Sequence, residues 1–265
     1  MGLIETLQPW TRQPNRLARI DPASGLRPEI AWNAAFPQID LATNLPLTRA
    51  AGVVPVLGQA GHALDFTSSA AAGLQRSGGS TAAQTKCTFV VVFRRGSNNA
   101  FANLINLGGK WSFGFDGGGL SLGMVLNGVV GLNAVTPTNI GAVCAIGSHD
   151  TVTGAYWVMA RDLFNSDPGS FVRDSQTDTN AQSAGNGTCT INVNGGANTL
   201  SGMIFCAIGA YQYFPEAWGH RYVHNPWALF EPQRIWVPVS SGGAASPVAA
   251  NATYYQMIAQ QRIGY

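Results

Sequence analysis

Apolar and polar residues alternate in short runs from about residue 29 to residue 213, and Gly, Asn, Asp or Ser separates the runs. A period of two places successive side chains on opposite faces of a β-strand. The strongest of these signals is TKCTFVVVFRR at residues 85–95, because it is rich in β-branched and aromatic residues. A spacing of roughly 8–12 residues between runs is typical of a β-sandwich.

The same pattern predicts strands elsewhere along the chain. They are expected within residues 29–36, 62–66, 99–108, 110–117, 119–135, 141–149, 154–164, 188–193 and 200–213. The polar segment 165–187 is predicted to be a surface loop. Residues 1–28 carry four Pro without a clear period, which predicts an extended N-terminal arm. The sandwich is expected to span 29–240, followed by a linker and interaction arm over 241–265.

Composition narrows the function classes. Only 11% of the 265 residues are charged and the net charge is +2, with Lys86 and Lys110 as the only lysines. A nucleic-acid-binding protein would carry clustered Lys and Arg, so nucleic acid is not expected as a partner. No apolar run reaches the ~20 residues of a membrane span, and no signal peptide is expected.

The four cysteines each lie in an apolar, strand-like run. They are Cys87, Cys144, Cys189 and Cys206, and no two of them form a C-x-x-C pair. Metal sites need close ligand pairs. We therefore expect buried free thiols that pack as small hydrophobic side chains, as suits a chain made in a reducing cytoplasm.

The order of the strand segments resembles the concanavalin A-like (laminin-G-like) sandwich. In addition, WTRQPN at residues 10–15 and NPWALFEPQRIWVPVS at residues 225–240 are similar to the arm and tail of a family of tailed-bacteriophage proteins. The fold class implied is all-β: an antiparallel jelly-roll sandwich with one short C-terminal helix and extended N- and C-terminal arms. The function implied is a non-enzymatic virion component, made in the host cytoplasm, as a capsid decoration, fibre or tail/baseplate protein. A host-glycan-binding adhesin on the virion remains the alternative.

The stretch YVHNPWALFEPQ at residues 222–233 interrupts the strand pattern. Pro215 suits the first position of a short helix, and Pro226 is expected to end that helix at His224–Asn225. We interpret the apolar residues around it as a structural plug, near 215–225, that closes one edge of the sandwich. The plug residues are Trp218, Tyr222, Pro226, Trp227 and Phe230.

Catalytic chemistry has little support in the sequence. Glycoside hydrolysis needs two acids about 5–9.5 Å apart, but the closest pairs, Asp162/Asp167 and Asp174/Asp178, lie at or in the polar segment. Ser121 in G-L-S-L-G matches a nucleophile motif, yet it is expected in a strand instead of a strand-to-helix turn. His220 and His224 lack the Glu of a zinc-protease motif and are expected either to lie at the surface or to pack in the plug. The chain is therefore predicted not to be an enzyme.

The sequence leaves two kinds of binding site as alternatives. Ca²⁺ could bind rim-loop oxygens at Asp116 or Asp150, although ordinary turn roles are favoured, so that no cofactor is expected. Glycans could contact Trp111, Tyr211 and Tyr213, for which packing in the core or sheet is the favoured alternative.

The two arms are predicted to make subunit contacts. The last dozen residues concentrate apolar side chains, which tend to be covered in soluble proteins. The interface candidates are Trp10, Arg12, Tyr254, Tyr255, Met257, Ile258 and Tyr265. The expected partners are other virion proteins and further copies of the chain, as a homo-oligomer that analogy with phage fibres suggests is a trimer.

Overall fold

The structure, a computed structural model, describes residues 19–49, 52–66, 73–95, 102–115, 121–126, 129–130, 134–135, 142–164, 171–180, 182–193 and 202–230. Within these ranges sixteen strands and one α-helix are assigned. The strands are β1 (Ile30–Asn33), β2 (Thr48–Arg49), β3 (Val54–Gly58), β4 (Gly61–Asp65), β5 (Leu74–Arg76), β6 (Lys86–Arg95), β7 (Ala102–Leu107), β8 (Trp111–Phe115), β9 (Ser121–Leu126), β10 (Val129–Val130), β11 (Ala134–Val135), β12 (Val143–Asp150), β13 (Ala155–Asp162), β14 (Phe171–Thr177), β15 (Cys189–Val193) and β16 (Gly202–Ala210). The helix is α1 (Glu216–Val223).

The first sheet has the order β14-β13-β12-β6-β16-β4-β3, with antiparallel pairing throughout. β1 joins the same side of β16 as β4, but on a different half of that strand. Asn33 of β1 pairs with Cys206, whereas β4 pairs at Met203 and Ile204. The register of β16 is irregular between these two halves.

The second sheet has the order β10-β9-β8-β7-β15-β5-β2, and β11 pairs with β9. Its pairing is antiparallel wherever the register is defined. The two sheets pack face to face around a continuous apolar core. Phe89 of the first sheet stacks on Phe113 of the second, with ring centroids 5.9 Å apart. The all-β antiparallel sandwich with one short helix, expected from the sequence, is confirmed.

The outer face of the first sheet is also buried. β6 is apolar at successive positions from Val90 to Val92, all of them fully buried, as expected for a strand covered on both faces. Side chains from α1, from the 3₁₀ turn Pro226–Leu229 and from residues near the N-terminus complete a second apolar cluster on this face. We call it the outer-face cluster; its covering residues include Leu26, Tyr222, Val223, Trp227, Leu229 and Phe230.

The plug residues therefore cover a face of the sandwich. Tyr222, Trp227 and Phe230 are each 2–3% exposed and pack in the outer-face cluster, and α1 lies against β12 and β13, inside the sheet. The edge position expected for them is wrong. The sequence shows which residues of this segment are apolar, but it does not show which apolar surface they cover. Asn225 adopts φ −146°, so the helix does end before Pro226 as expected, and Pro215 precedes the helix instead of opening it.

Two segments depart from the sequence interpretation. The predicted loop 165–187 contains β14, an edge strand whose mostly exposed positions hide the strand period. Residues 19–28, assigned to the arm, lie against the sandwich: Ile20 bridges Phe230, and Leu26 is buried. The short strands β2, β3 and β5 were also not predicted.

All four cysteines are buried free thiols, as expected. Burial raises the pKa of Cys189 to about 11 and that of Cys206 to about 12, so neither is a reactive thiolate near neutral pH. Within the part of the chain that the structure describes, no helix combines the length and apolar character needed to cross a membrane.

Candidate functional site

A cleft of about 500 Å³ opens between two segments that lie beside the outer-face cluster. Residues 19–28 form its first wall, and the segment from Leu41 to Asn44 forms its second wall. Ligand pockets in proteins commonly measure about 300–1,000 Å³. The cleft is thus large enough for a small molecule or one to two sugar rings.

The first wall is a tight turn fixed by its own side chains. Asp21 accepts a hydrogen bond from the Ala23 backbone N–H (2.9 Å), and Ser24 Oγ donates to the Asp21 carbonyl (2.6 Å). Gly25 ends the turn at φ +74°, a left-handed conformation that glycine adopts without strain. Leu26 then points into the outer-face cluster and anchors the wall.

The second wall is organised by Asp40, which is fully buried. Its Oδ1 accepts from the backbone N–H groups of Ala31 (2.9 Å) and Ala42 (3.0 Å), and its Oδ2 accepts from Thr43 Oγ1 (2.8 Å). Asn44 follows in the left-handed region at φ +58°, which Asn tolerates better than most residues. One carboxylate therefore sets the conformation of the whole wall.

Arg76 of β5 ties the two walls together. Its Nη2 donates to the Glu29 carbonyl (2.6 Å) and lies 3.3 Å from Glu29 Oε1, directly after the first wall. Its Nε lies 2.8 Å from Asp40 Oδ2, directly before the second wall; this contact is not aligned as a hydrogen bond and acts as an ion pair. The Arg76 side chain is 3% exposed. A single buried guanidinium thus preforms the cleft.

The cleft combines an apolar floor with a basic rim. Ile20, Leu26 and Leu41 contribute the apolar surface, which we call the floor, and the exposed residues Arg19 and Arg27 contribute the basic surface, which we call the rim. No Asp, Glu, His, Cys or Ser is found among the described residues that line it. The arrangement can bind a ligand with an apolar body and polar or anionic groups, and it offers no nucleophile or paired acids.

The three aromatic residues predicted to contact glycans do not form one site. Trp111 is 2% exposed and lies in the core, edge-on to His149 at 5.6 Å between ring centroids. Tyr211 and Tyr213 are half-buried, but Tyr211 packs against the inter-sheet core and Tyr213 against the outer-face cluster. Burial raises the pKa of both tyrosines.

The plug residue Trp218 connects α1 to the cleft. Its Nε1 donates to the Ser24 carbonyl (2.9 Å) in the first wall, and its ring stacks on Phe214 at 4.4 Å between centroids. The interface candidates Trp10, Arg12, Tyr254, Tyr255, Met257, Ile258 and Tyr265 lie outside the described residues, as does Asp116.

The remaining candidate metal ligands have ordinary structural partners. Asp150 accepts from the Val152 backbone N–H (3.0 Å) and pairs with Lys86 (3.3 Å). Burial opposes the charged form of Asp150, but these hydrogen bonds and the Lys86 charge outweigh it and lower the pKa of the carboxyl. No group of three or more His, Cys, Asp or Glu residues suited to a metal is found in the described ranges.

His220 of α1 and His224, the residue that follows the helix, pack on one aromatic ring. The centroids of His220 and His224 lie 5.4 and 5.9 Å from that of Phe171 in β14. Burial, with the nearby charges of Arg161 and His220, lowers the pKa of His224. These contacts give both residues a role in docking α1 against the first sheet.

The residues weighed for hydrolysis are dispersed among separate structural roles. Asp162, Asp174 and Asp178 each accept a backbone N–H within two residues, from Phe164, Ser175 and Asn180 respectively. Asp167 lies outside the described residues. Ser121 begins β9, and a strand position is what the sequence predicted for it.

Sequence reasoning missed the cleft. The stretch DLATN at residues 40–44 carries a local signal, because an Asp two or three residues before N–H and hydroxyl donors often caps a turn. Nothing in the local sequence shows that Arg76 reaches this turn, since Arg76 and Asp40 meet only once the strands have paired into sheets.

No protein-family model matches the sequence, and no curated protein matches it. Solved structures do match in fold. Domain 4 of AbnA, a GH43 extracellular arabinanase from Geobacillus stearothermophilus, in complex with arabinotriose, has a TM-score of 0.51 at 11% identity, over 74% of this chain and 98% of that one. The ligand binding domain of botulinum neurotoxin serotype D, in complex with N-acetylneuraminic acid, has a TM-score of 0.50 at 8% identity, over 74% of this chain and 50% of that one. At such identities the likeness shows the β-sandwich fold alone.

Proposed function

We propose that this sandwich is a glycan-binding module and that the cleft holds the saccharide. The observation that carries the proposal is the preformed cleft, whose two walls are fixed by Arg76 through Glu29 and Asp40. A rigid site avoids much of the entropy cost of ordering loops on binding. Support also comes from the fold, since the two solved neighbours described above were each determined with a sugar bound.

The chemistry of the cleft suits a sugar ring. Sugar rings present apolar C–H faces and a rim of hydroxyl groups that donate and accept hydrogen bonds. The floor at Ile20, Leu26 and Leu41 can pack against a C–H face, and the Asn44 amide and the arginines can bond to hydroxyl oxygens. The module is proposed to bind without cleaving, because no pair of acids lines the cleft among the described residues.

Filling the cleft should abolish binding. In Ala42→Trp, an indole would occupy the space between the walls, and we expect glycan affinity to fall at least about tenfold, equivalent to about 1.4 kcal/mol. Binding of the full-length chain is measured on a glycan array and then by calorimetry, with arabinotriose and N-acetylneuraminic acid among the probes. Absence of reducing-sugar release from bound oligosaccharides checks that the module is not an enzyme.

Leu57→Trp is the matched control for this substitution. Leu57 is 77% exposed on β3 and is not one of the cleft-lining residues, so an added indole there should leave affinity unchanged. Melting temperatures confirm that both variants fold. Equal glycan affinity of Ala42→Trp and the unmodified chain would place the site elsewhere, and a blank array would contradict the function itself.

A structural role in a bacteriophage particle is the second proposed function. It is favoured by the way the two ends of the sandwich meet: Ile20 bridges Phe230, and the Asp21 N–H donates to the Leu229 carbonyl (2.7 Å). Residues 1–18 and 231–265 are therefore attached at neighbouring points of the sandwich. Terminal segments attached at neighbouring points suit a protein that is fastened to other virion proteins or to further copies of itself, as a trimer or another homo-oligomer.

Purified particles test this second role. Mass spectrometry should find the chain in them at a fixed ratio to the major capsid protein, and a chain truncated after Ser240 should fold with a similar melting temperature but fail to incorporate. Absence of the chain from particles, or normal incorporation of the truncated form, would contradict the structural role and leave glycan binding unaffected.

A further inference from the structure

We infer that the cleft selects an acidic saccharide, one whose ring carries a carboxylate. This inference rests on the proposed glycan-binding function and adds the class of ligand. The observation behind it is the placement of Arg19 and Arg27, the two charged residues among the described residues that line the cleft. Both are arginines, and both are exposed.

The ion pairs found among the described residues involve basic side chains other than these two guanidinium groups. Arg76 is paired with Glu29 and Asp40, Lys86 with Asp150, and Arg173 with Glu216. Arg19 and Arg27 make no ion pair with any residue that the structure describes. An arginine that lines a cleft and makes no ion pair can bind an anion without first breaking an existing pair.

The acids nearest the cleft are already engaged. The Asp21 carboxylate accepts from the Ala23 N–H, and Glu29 Oε1 accepts from the Ser80 N–H (2.9 Å) while contacting Arg76. Asp40 is fully buried beneath the second wall with its own donors. None of the three lines the cleft. The charged side chains among the described residues that line the cleft are therefore positive, and the acids nearby are bonded to backbone donors, Thr43 or Arg76.

The backbone that carries Arg27 is held in place. Its N–H donates to Gln212 Oε1 (2.6 Å), and Gln212 Nε2 donates in turn to the Gly25 carbonyl (3.3 Å). Arg19 precedes Ile20, which is fixed by its bridge to Phe230. Both arginines thus belong to the first wall, at or next to backbone positions that are held in place, and Asn44 belongs to the second wall. Guanidinium groups bind carboxylates through paired N–H donors, and the ring can then rest on the apolar floor.

The experiment compares matched sugars and matched variants. Glucose, glucuronic acid, N-acetylneuraminic acid, glucose 6-phosphate and glucose 6-sulfate are titrated into the full-length chain, with citrate as an anion that is not a sugar. The variants are Arg19→Gln, Arg27→Gln and the double substitution. Arg94→Gln, at an exposed position of β6 outside the cleft lining, is the control for loss of one surface charge.

We expect glucuronic acid to bind at least about tenfold more tightly than glucose, since one charge-assisted contact is worth about that factor. The double substitution should remove this difference and keep the melting temperature, and Arg94→Gln should change neither the difference nor the melting temperature. High salt should reduce the difference, because the rim is exposed to solvent.

The contrary outcomes separate the inference from the function. Equal binding of glucose and glucuronic acid, unaffected by the arginine substitutions, would overturn the acidic class and leave glycan binding intact. Tighter binding of the phosphate or sulfate sugar than of both carboxylate sugars would overturn the carboxylate assignment. Citrate binding as tightly as glucuronic acid, with glucose unbound, would show an anion site and overturn the glycan function. No binding of any probe would overturn both.

Discussion

Replacing Arg76 by methionine is expected to lower the free energy of unfolding by about 3–5 kcal/mol. Methionine fills a similar volume but leaves the Asp40 carboxylate fully buried without its counter-ion. It also removes the donor to the Glu29 carbonyl. A buried charge that loses its partner keeps its desolvation penalty, which is why this loss exceeds that of an ordinary polar substitution.

The control is an ion pair that water can reach. Arg173 and Glu216 lie 3.0 Å apart with their side chains 52% and 30% exposed, so Arg173→Met should cost no more than about 1 kcal/mol. Urea unfolding of both variants measures the contrast. A second variant, Arg76→Met with Asp40→Asn, removes the buried charge and should recover part of the loss. Similar losses for Arg76→Met and Arg173→Met would show that the buried network is not a major source of stability.

This substitution also tests the cleft. Because Arg76 holds both walls through Glu29 and Asp40, the variant should bind glycan more weakly even at temperatures where it remains folded. Arg173→Met does not touch the walls and should bind normally. Arg76→Met is therefore expected to lower both the stability and the glycan affinity. Arg173→Met is expected to lower the stability only slightly and to leave the affinity unchanged.

The sandwich could be predicted because its strands carry local signals. β6, β12 and β16 combine apolar runs with flanking turn residues, and those signals do not depend on which strands become neighbours. β14 was missed for the opposite reason. As an edge strand it exposes most of its side chains, so its sequence is that of a polar loop, and only pairing with β13 reveals it.

The cleft could not be predicted from the sequence. Glu29, Asp40 and Arg76 belong to three separate segments, and each alone looks like a surface charge. They meet because β5 places Arg76 within reach of both Glu29 and Asp40, which is a consequence of sheet order. The plug aromatics were recognised as buried, but the sequence could not say what they cover. A clue was present in β6, whose unbroken apolar run indicates burial on both faces.

Gly219→Ala is expected to destabilise the protein by about 1–3 kcal/mol, although alanine is the better helix former. Gly219 is buried in α1 where the helix meets β13. A Cβ atom at this position would lie 2.6 Å from Cζ3 of Trp157 and 2.9 Å from Cε of Met159. Trp157 cannot easily retreat, because its Nε1 donates to the Phe214 carbonyl (2.9 Å) within the outer-face cluster. The helix must therefore shift away from the sheet.

Ala217→Gly on the exposed side of the same helix is the matched control, with a propensity cost of about 1 kcal/mol. If crowding against Trp157 causes the loss, Gly219→Ala should be less harmful in a Trp157→Phe background, and a double-mutant cycle from urea unfolding measures that coupling.

Because Trp218 joins α1 to the Ser24 carbonyl of the first wall, the shifted helix should also weaken glycan binding. A gain in stability for Gly219→Ala in the unmodified background would mean that α1 does not dock on the sheet at this distance.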